Sequence, residues 1–288
     1  MITDIILTIL GITGVTAAAL FDIKTKEVPD WLNFSLIISG LSIRLIHSLV
    51  FIEWKFFIYG ILGLIAMFFL GSLIYYTGQW GGGDAKLLMG LGAIFGTTPY
   101  FMNINFHFLL VFLINLVLIS AIYGLIWSLW IYLKNYKKVN NKIKQLIIQQ
   151  KRLATIYLIL GGTNLIIYIF LSNNIFGLAF LAIALFFIIY TLLYFFIKAI
   201  EEVGMLKWIK PNELREGDWI AKNVYIKKKI ITGPKSLGIT KKQINQIKKS
   251  KIKKILVKEG IAFVPSFFIS LIITLMWGNI LSILNNLL

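Results

Sequence analysis

Cysteine is absent from this chain of 288 residues, and histidine occurs only twice, at His47 and His107. The sequence therefore forms no disulfide and holds no zinc through cysteine, and two histidines are too few for a histidine-rich metal site. We predict neither a metal nor a cofactor. Acidic residues are also scarce, with 12 of them against 29 lysines and arginines, which gives a formal net charge of +17.

Hydrophobic residues are abundant instead, at 58% of the chain, with a mean hydropathy of +0.84. These values are unusual for a soluble globular domain. Several runs reach the roughly 20 apolar residues that a helix needs to cross a bilayer. We predict an all-α polytopic membrane bundle of about eight transmembrane helices, over Ile2–Phe21, Leu32–Ile52, Phe56–Tyr76, Asp84–Thr97, Phe106–Leu133, Leu153–Leu171, Ile175–Ile197 and Ala262–Leu284.

A polar segment separates the seventh span from the eighth. It contains short stretches typical of β-strands, and Thr240 and Gln243 form a capping-box pattern ahead of a short amphipathic helix at Ile244–Lys249. This pattern predicts a small α+β domain, with strands in Trp219–Ile226, Lys229–Ile231 and Ile255–Val257. We therefore divide the chain into a membrane bundle (residues 1–200), a basic soluble domain (201–260) and a final transmembrane helix (261–288).

Positive charge is concentrated in two connections. Lys134–Arg152, predicted to be a loop, contains seven basic residues, and Lys198–Gly260 contains seventeen. If eight spans alternate, 27 of the 29 basic residues lie on one side, and only Arg44 and Lys55 fall elsewhere. The positive-inside rule makes that side cytoplasmic. The charge thus serves as a topology signal and attracts anionic membrane lipids, and we predict no nucleic-acid partner.

Two carboxylates stand at the ends of predicted spans. Asp22 ends the first span, and Asp84 begins the fourth. The alternating topology places both at the cytoplasmic end of the bundle, where an ionisable residue is a candidate for function. Two neighbouring carboxylates share a proton, so the ionised member can take a proton from water while the protonated member polarises a peptide carbonyl. This is the chemistry of aspartyl proteases.

Three consecutive glycines, Gly81, Gly82 and Gly83, precede Asp84. Glycine allows close approach of another backbone, which an extended peptide substrate would need. On local features alone, a flexible turn with Asp84 as helix N-cap explains the pattern equally well. Asp22 fits a purely structural role poorly, because negative charge at the C-terminal end of a helix opposes the helix dipole.

At these residues the sequence resembles the type IV prepilin and preflagellin peptidases, a family of GxGD membrane aspartyl proteases. Gly81–Asp84 matches GxGD, Ala85–Ala93 extends the match, and Phe21–Lys24 with Val28–Asp30 supplies the block around the first aspartate. The resemblance covers the first four spans, from Ile2 to Gly96. The C-terminal part looks like the archaeal branch, at Leu214–Asp218 and Val264–Phe267.

The resemblance implies that Asp22 and Asp84 are the catalytic pair and that Gly81, Gly82 and Gly83 form the substrate-access loop. The implied substrate is an archaellin or type IV pilin-like precursor, whose short basic leader would be removed at the cytoplasmic face of the plasma membrane. Bacterial relatives often carry a cysteine-rich loop and an N-methyltransferase activity, for which this chain gives no basis. Its middle region, Phe106–Ile197, contains more spans than the compact archaeal preflagellin peptidases, which leaves archaellin and pilin both open as substrates.

Two alternatives compete with this hypothesis. A proton- or cation-coupled secondary transporter could use membrane carboxylates, but it would place them nearer the midplane and contain paired repeats with broken helices. We find no convincing internal repeat. A protease of the signal-peptide-peptidase or presenilin type shares GxGD, but it should add a Tyr-Asp and a Pro-Ala-Leu motif, which this sequence lacks.

Overall fold

The computed structural model describes residues 2–98, 107–171, 175–226, 229–250 and 252–279. The chain forms two compact units. Unit 1 consists of Met1–Leu125 together with Gly260–Leu288, and unit 2 consists of Ile126–Glu259. Unit 2 is therefore an insertion, in sequence, between two parts of unit 1.

The described residues contain nine α-helices and five β-strands. The helices are α1 Ile2–Thr25, α2 Asp30–Phe51, α3 Trp54–Tyr76, α4 Gly82–Phe95, α5 Phe108–Gln149, α6 Lys151–Leu171, α7 Ile175–Ile200, α8 Lys241–Lys248 and α9 Val264–Trp277. The strands are β1 Leu206–Ile209, β2 Trp219–Ile220, β3 Val224–Ile226, β4 Lys229–Thr232 and β5 Ile255–Lys258.

Six of the described helices are long and apolar enough to cross a membrane, namely α1, α2, α3, α5, α6 and α7. The predicted fourth and eighth spans form α4 and α9, each 14 residues long, which is shorter than a full crossing requires. Phe106 and residues 280–284, at the ends of two predicted spans, lie outside the described residues. The polytopic helical architecture with a small α+β part is confirmed.

The prediction that Lys134–Arg152 is a loop was wrong. Helix α5 continues to Gln149 across a bend at Asn135 (φ −130°, ψ 28°), and α6 begins at Lys151. The reason is a second apolar stripe with helical spacing among the charges. Val139, Ile143 and Leu146 pack in one cluster with Phe195, Ala199 and Ile200 at the end of α7.

The polar part of unit 2 contains two antiparallel sheets. Strands β1, β5 and β2 form one in the order β1-β5-β2, and β3 and β4 form the other. The predicted strand Trp219–Ile226 is divided into β2 and β3, and β1 was not predicted. Thr240 caps α8 as predicted, because its Oγ1 accepts a hydrogen bond from the Gln243 N–H (3.4 Å). Apolar residues of α8 and the sheets form one core, among them Ile220, Ile244, Ile247 and Val257.

Within unit 1, α4 is surrounded by other helices. Nine of its 14 residues are buried, and it packs most extensively against α3 and α2. The contact is close because small residues face each other. A Cβ added at Gly63 of α3 would collide with the carbonyl oxygen of Gly92 in α4. A short helix enclosed in this way can hold a polar group at its end inside the bundle.

Arg44 of α2 is fully buried and fixes the C-terminal end of α4. Its Nε and Nη2 donate hydrogen bonds of 3.1 and 2.8 Å to the carbonyl oxygen of Ile94, and its Nη1 donates one of 2.8 Å to that of Phe56. The last carbonyls of a helix lack partners within the helix, and a cation there is favoured by the helix dipole. Arg44 thus holds α4 in place from the end opposite Asp84.

Candidate active site

Asp22 lies near the C-terminal end of α1 and is only 4% exposed. Its Oδ2 accepts a hydrogen bond of 2.8 Å from the backbone N–H of Val264, the first residue of α9. The first N–H groups of a helix have no partner within it, and that end attracts negative charge. The carboxylate that the dipole of α1 disfavours is therefore stabilised by the N-terminus of another helix.

Asp84 is the third residue of α4, and its side chain is partly exposed. Its Oδ2 accepts a hydrogen bond of 3.2 Å from the N–H of Gly81, which is the N-cap residue of the helix. The alternative prediction that Asp84 is the helix N-cap therefore does not hold as stated. Gly81 is the N-cap, and Asp84 lies within the first turn of the helix. Its carboxylate stabilises the glycine turn through this hydrogen bond.

The fold brings the two predicted carboxylates together, because Asp22 and Asp84 lie close enough for their charges to interact. Tyr123 of α5 and Lys26 are also within electrostatic range of Asp22. Tyr123 was not singled out from the sequence, where a tyrosine in an apolar helix gives no signal. No group of three or more histidine or acidic side chains that could hold a metal ion occurs in the described part of the chain.

The three glycines differ in their surroundings. A Cβ added at Gly83 would lie 3.2 Å from backbone and side-chain atoms of Val28. At Gly81 and Gly82 the nearest atoms would be at ordinary contact distances, 3.5 Å for Asp84 Oδ2 and 3.7 Å for the Tyr75 ring. Gly83 is therefore required for close packing against the connection between α1 and α2, whereas the positions of Gly81 and Gly82 have room for a Cβ.

Asn33 links α2 to the glycine turn, and it was not identified from the sequence as part of the site. Its side chain is fully buried, and Nδ2 donates a hydrogen bond of 3.2 Å to the carbonyl oxygen of Gly83. Its Oδ1 has no hydrogen-bond partner among the described residues. A buried polar atom in that state is uncommon and costs stability. Nearby, Lys86 and Asp30 form an ion pair of 2.6 Å between α4 and the start of α2.

Trp80, just before the glycines, contacts α9. Its ring centroid lies 5.5 Å from that of Phe263 and 5.3 Å from that of Phe267. The start of α9 therefore touches both the turn that leads to Asp84 and the carboxylate of Asp22. Helices α1, α4 and α9 together therefore surround the two carboxylates.

Residues 9–129 match the model of the Type IV leader peptidase family. These residues include Asp22, the glycine turn and Asp84, so the part of the chain that contains both carboxylates is similar to this family. The resemblance expected from the GxGD block is thereby confirmed. Helix α9 lies outside the matched residues.

Three preflagellin peptidases are similar to this chain. That of Methanocaldococcus jannaschii is 32% identical over 133 residues, which cover 44% of this chain and 56% of the relative. Those of Methanococcus maripaludis and Methanococcus voltae are 31% and 32% identical over 86 and 85 residues, covering 30% of this chain in each case and 37% and 36% of the relatives. The similarity thus spans about half, or less, of these relatives' length.

Proposed function

We propose that this chain is a membrane aspartyl endopeptidase that removes the short basic leader from archaellin or type IV pilin-like precursors. The observation that carries the proposal is the meeting of Asp22 and Asp84, from two different helices, within electrostatic range of each other. The pair lies in the region that matches the Type IV leader peptidase family. The similarity to preflagellin peptidases supports the class of substrate.

The proposed mechanism uses one proton shared by two carboxylates. The ionised carboxylate takes a proton from a water molecule, whose oxygen attacks the carbonyl carbon of the scissile peptide bond. The protonated carboxylate gives its proton to the carbonyl oxygen. When the tetrahedral intermediate collapses, the C–N bond breaks and a proton passes to the leaving amine. No metal or cofactor takes part in this scheme.

The glycine turn supports access of an extended peptide to the pair. Gly81 is exposed, and a Cβ added at Gly81 or at Gly82 would come no closer than 3.5 Å to another atom. A substrate backbone can therefore approach Asp84 without meeting a side chain at these two positions. Gly83 contributes indirectly, because its contact with Val28 holds the turn in place.

We place the reaction at the cytoplasmic face. Lys24, Lys26 and Lys86 lie next to Asp22 and Asp84, at one end of α1 and α4. Lys55 lies at the start of α3, at the opposite end of that bundle. The positive-inside rule assigns the end with more lysine to the cytoplasm. The transporter alternative has less support, because both carboxylates lie in terminal turns of their helices rather than near a midpoint.

The test is cleavage of an archaellin precursor and a pilin precursor by membranes that contain the wild type, Asp22→Asn or Asp84→Asn. We expect the wild type to shorten at least one precursor, and each variant to lose at least about 100-fold in rate, the typical contribution of a general acid or base. Glu53→Gln is the matched control, because Glu53 is an exposed carboxylate at the opposite end of the helices from the pair. Cleavage at the wild-type rate by either pair variant would disprove the assigned roles. A folded wild type that cuts neither precursor would overturn the proposed function.

A further inference from the structure

We propose that the first turn of α9 is part of the active site and that the backbone N–H of Val264 is the positioning group for Asp22. This inference rests on the proposed peptidase function. It assigns a role to a helix that lies outside the residues matched by the family model, 9–129.

The contact itself is short and shielded from solvent. Val264 is fully buried, Asp22 is 4% exposed, and 2.8 Å separates the Val264 nitrogen from Asp22 Oδ2. The N–H of Phe263 adds a second, weaker interaction with the same carboxylate. A hydrogen bond to a charged group is among the stronger ones in proteins and fixes direction as well as distance. Holding Oδ2 in this way sets the plane of the carboxylate that is to meet water.

Helix α9 is itself fastened to α5 by polar side chains. Asn115 Nδ2 donates hydrogen bonds of 2.8 Å to Thr274 Oγ1 and to the carbonyl oxygen of Gly278. Ser120 Oγ donates one of 3.0 Å to Ser266 Oγ. Buried polar links of this kind fix both the rotation and the height of a helix in a bundle. These links to α5, together with the packing of α9 against α1, therefore fix the direction of the Val264 N–H.

The same turn of α9 also contacts the other half of the site. Phe263 and Phe267 pack on Trp80, two residues before Gly82. A displacement of α9 would thus disturb Asp22 directly and the glycine turn through Trp80. This common neighbour explains how two aspartates on separate helices keep a defined relation.

The experiment replaces the amide of Val264 by an ester, through incorporation of the α-hydroxy analogue of valine at position 264. The change removes the N–H and keeps the side chain and Pro265. We expect kcat for precursor cleavage to fall about 10-fold or more, as for loss of a hydrogen bond to a charged group, with KM within about twofold of the wild type. Val264→Ala, which keeps the N–H, should retain most of kcat.

An ester at Phe268 is the matched control, because it removes one N–H of the same helix that does not reach Asp22. The inference would be overturned if kcat of the Val264 ester were unchanged, or if the Phe268 ester lost as much kcat as the Val264 ester. In either case, cleavage by the wild type would leave the proposed function intact. If the wild type itself cuts no precursor, the proposed function fails and this inference fails with it.

A second inference rests on unit 2 alone. We propose that an anionic phospholipid binds in a groove between the C-terminal part of α5, the start of α6 and the C-terminal part of α7. The groove has a volume of about 450 Å³ and is lined by Thr191 and by apolar residues of the three helices, among them Ile147, Leu158, Leu192 and Phe196. The only polar side chain in this lining, Thr191, donates its hydroxyl to the carbonyl oxygen of Phe187 in its own helix (2.7 Å). The groove thus presents an apolar surface suited to an acyl chain.

Exposed cations lie on the same helices, next to the lining residues. Lys144, Lys151 and Arg152 form no ion pair among the described residues, and the sequence contains no Asp or Glu from residue 85 to residue 200. The next acidic side chains are already engaged, because Glu201 pairs with Lys258 (2.9 Å) and Glu202 with Lys142 (2.5 Å). An anionic headgroup would supply the missing negative charge, since basic residues at a membrane surface attract acidic lipids.

The test measures lipids retained by the purified full-length protein, by native mass spectrometry, from an equal mixture of phosphatidylglycerol and phosphatidylcholine. We expect preferential retention of phosphatidylglycerol, and a loss of that preference in the triple variant Lys144→Gln, Lys151→Gln and Arg152→Gln. The matched control neutralises three exposed lysines of the polar part of unit 2, Lys229, Lys235 and Lys253, and should keep the preference. Leu192→Trp, which fills the groove, should reduce retention of both lipids.

Equal retention of the two lipids by the wild type would overturn this second inference. An equal effect of the control triple variant would also overturn it, because it would show attraction by total charge rather than by a site. Full retention by Leu192→Trp would show that no chain occupies the groove.

Discussion

Asp22 combines two tasks that are usually separate. A buried carboxylate needs hydrogen-bond partners to offset its loss of hydration, and the start of α9 provides them. The same side chain is one of the two proposed to act on water. Substitutions at this position therefore affect both folding and chemistry, and the two effects can be separated by the choice of replacement.

We predict that Asp22→Asn abolishes cleavage but leaves thermal stability near that of the wild type, because the asparagine Oδ1 can still accept the Val264 N–H. Asp22→Ala should abolish cleavage and also destabilise the protein by about 1–3 kcal/mol, since it leaves a buried N–H without an acceptor. Unfolding in lipid nanodiscs, followed by tryptophan fluorescence, measures the difference. Equal stability of the two variants would show that the contact with α9 contributes nothing to the fold.

The glycine turn allows a second comparison at single residues. Gly83→Ala should lower the yield of folded protein, because its Cβ would press on Val28 at 3.2 Å. Gly81→Ala should fold normally, since the backbone there has φ −69° and the nearest atom would be 3.5 Å from the added Cβ. We expect Gly81→Ala nevertheless to slow cleavage, because the methyl group occupies the proposed approach to Asp84. A wild-type rate for folded Gly81→Ala would argue that substrate does not pass this residue.

At the scale of elements, α4 depends on its neighbours rather than on its own length. Its 14 residues are too few to cross a membrane alone, and small residues on α3 let it approach closely. Arg44 binds its C-terminal end, and Asp84 with Asn33 holds its N-terminal turn. The proposed catalytic residue thus sits on a helix fixed at both ends, which suits a group that must keep its position during a reaction.

Length and apolar composition made most helices predictable from the sequence, because a run of about 20 apolar residues has few other stable forms in a membrane. The continuation of α5 beyond Asn135 was not predictable in this way, since the density of charged residues concealed a helical stripe of three apolar residues. The partner of Asp22 was also hidden, because Val264 lies 242 residues away in sequence. Local motifs indicated both aspartates, whereas their supporting contacts depend on tertiary packing.

A titratable group next to the small sheets of unit 2, the Asp218 carboxyl just before β2, gives a prediction at this scale. Partial burial raises the pKa of the Asp218 carboxyl above its ordinary value of 3.8, although a hydrogen bond from the Arg215 N–H (2.7 Å) opposes the shift. A carboxyl with a raised pKa in the folded state contributes stability that is fully present below 3.8 and is lost as the pH rises through the raised pKa.

Asp218→Asn cannot ionise and still accepts the hydrogen bond from Arg215. We therefore expect the variant to gain stability relative to the wild type from about pH 4 upward, until Asp218 of the wild type is fully ionised. Hydrogen exchange of the amides in β2 and β5, compared between the two proteins at each pH, reports this difference. A difference that stays the same at every pH would contradict it.

On the scale of the whole molecule, the charge is divided unequally between the two units. Unit 2 contains 24 of the 29 basic residues and six of the 12 acidic residues, which gives it a net charge of +18. Unit 1 contains the other five basic residues and the other six acidic residues, which gives it a net charge of −1. Both aspartates and α9 belong to unit 1. The inserted unit therefore adds helices and positive charge to a nearly neutral unit that holds all the proposed catalytic groups.

Because the chain contains no cysteine, single cysteines report topology without further changes. We predict that Lys24→Cys and Lys235→Cys react with a membrane-impermeant maleimide only when the cytoplasmic side is accessible, and that Lys55→Cys reacts from the outside. All three side chains are exposed, so lack of labelling would reflect the side of the membrane rather than burial. The physical reason is the excess of lysine beside Asp22 and in unit 2, which the positive-inside rule assigns to the cytoplasm. Labelling of Lys24→Cys from the outside would place the aspartates on the wrong face for a leader peptide presented in the cytoplasm. Labelling of Lys24→Cys and Lys235→Cys from opposite sides of the membrane would disprove the alternation of eight spans.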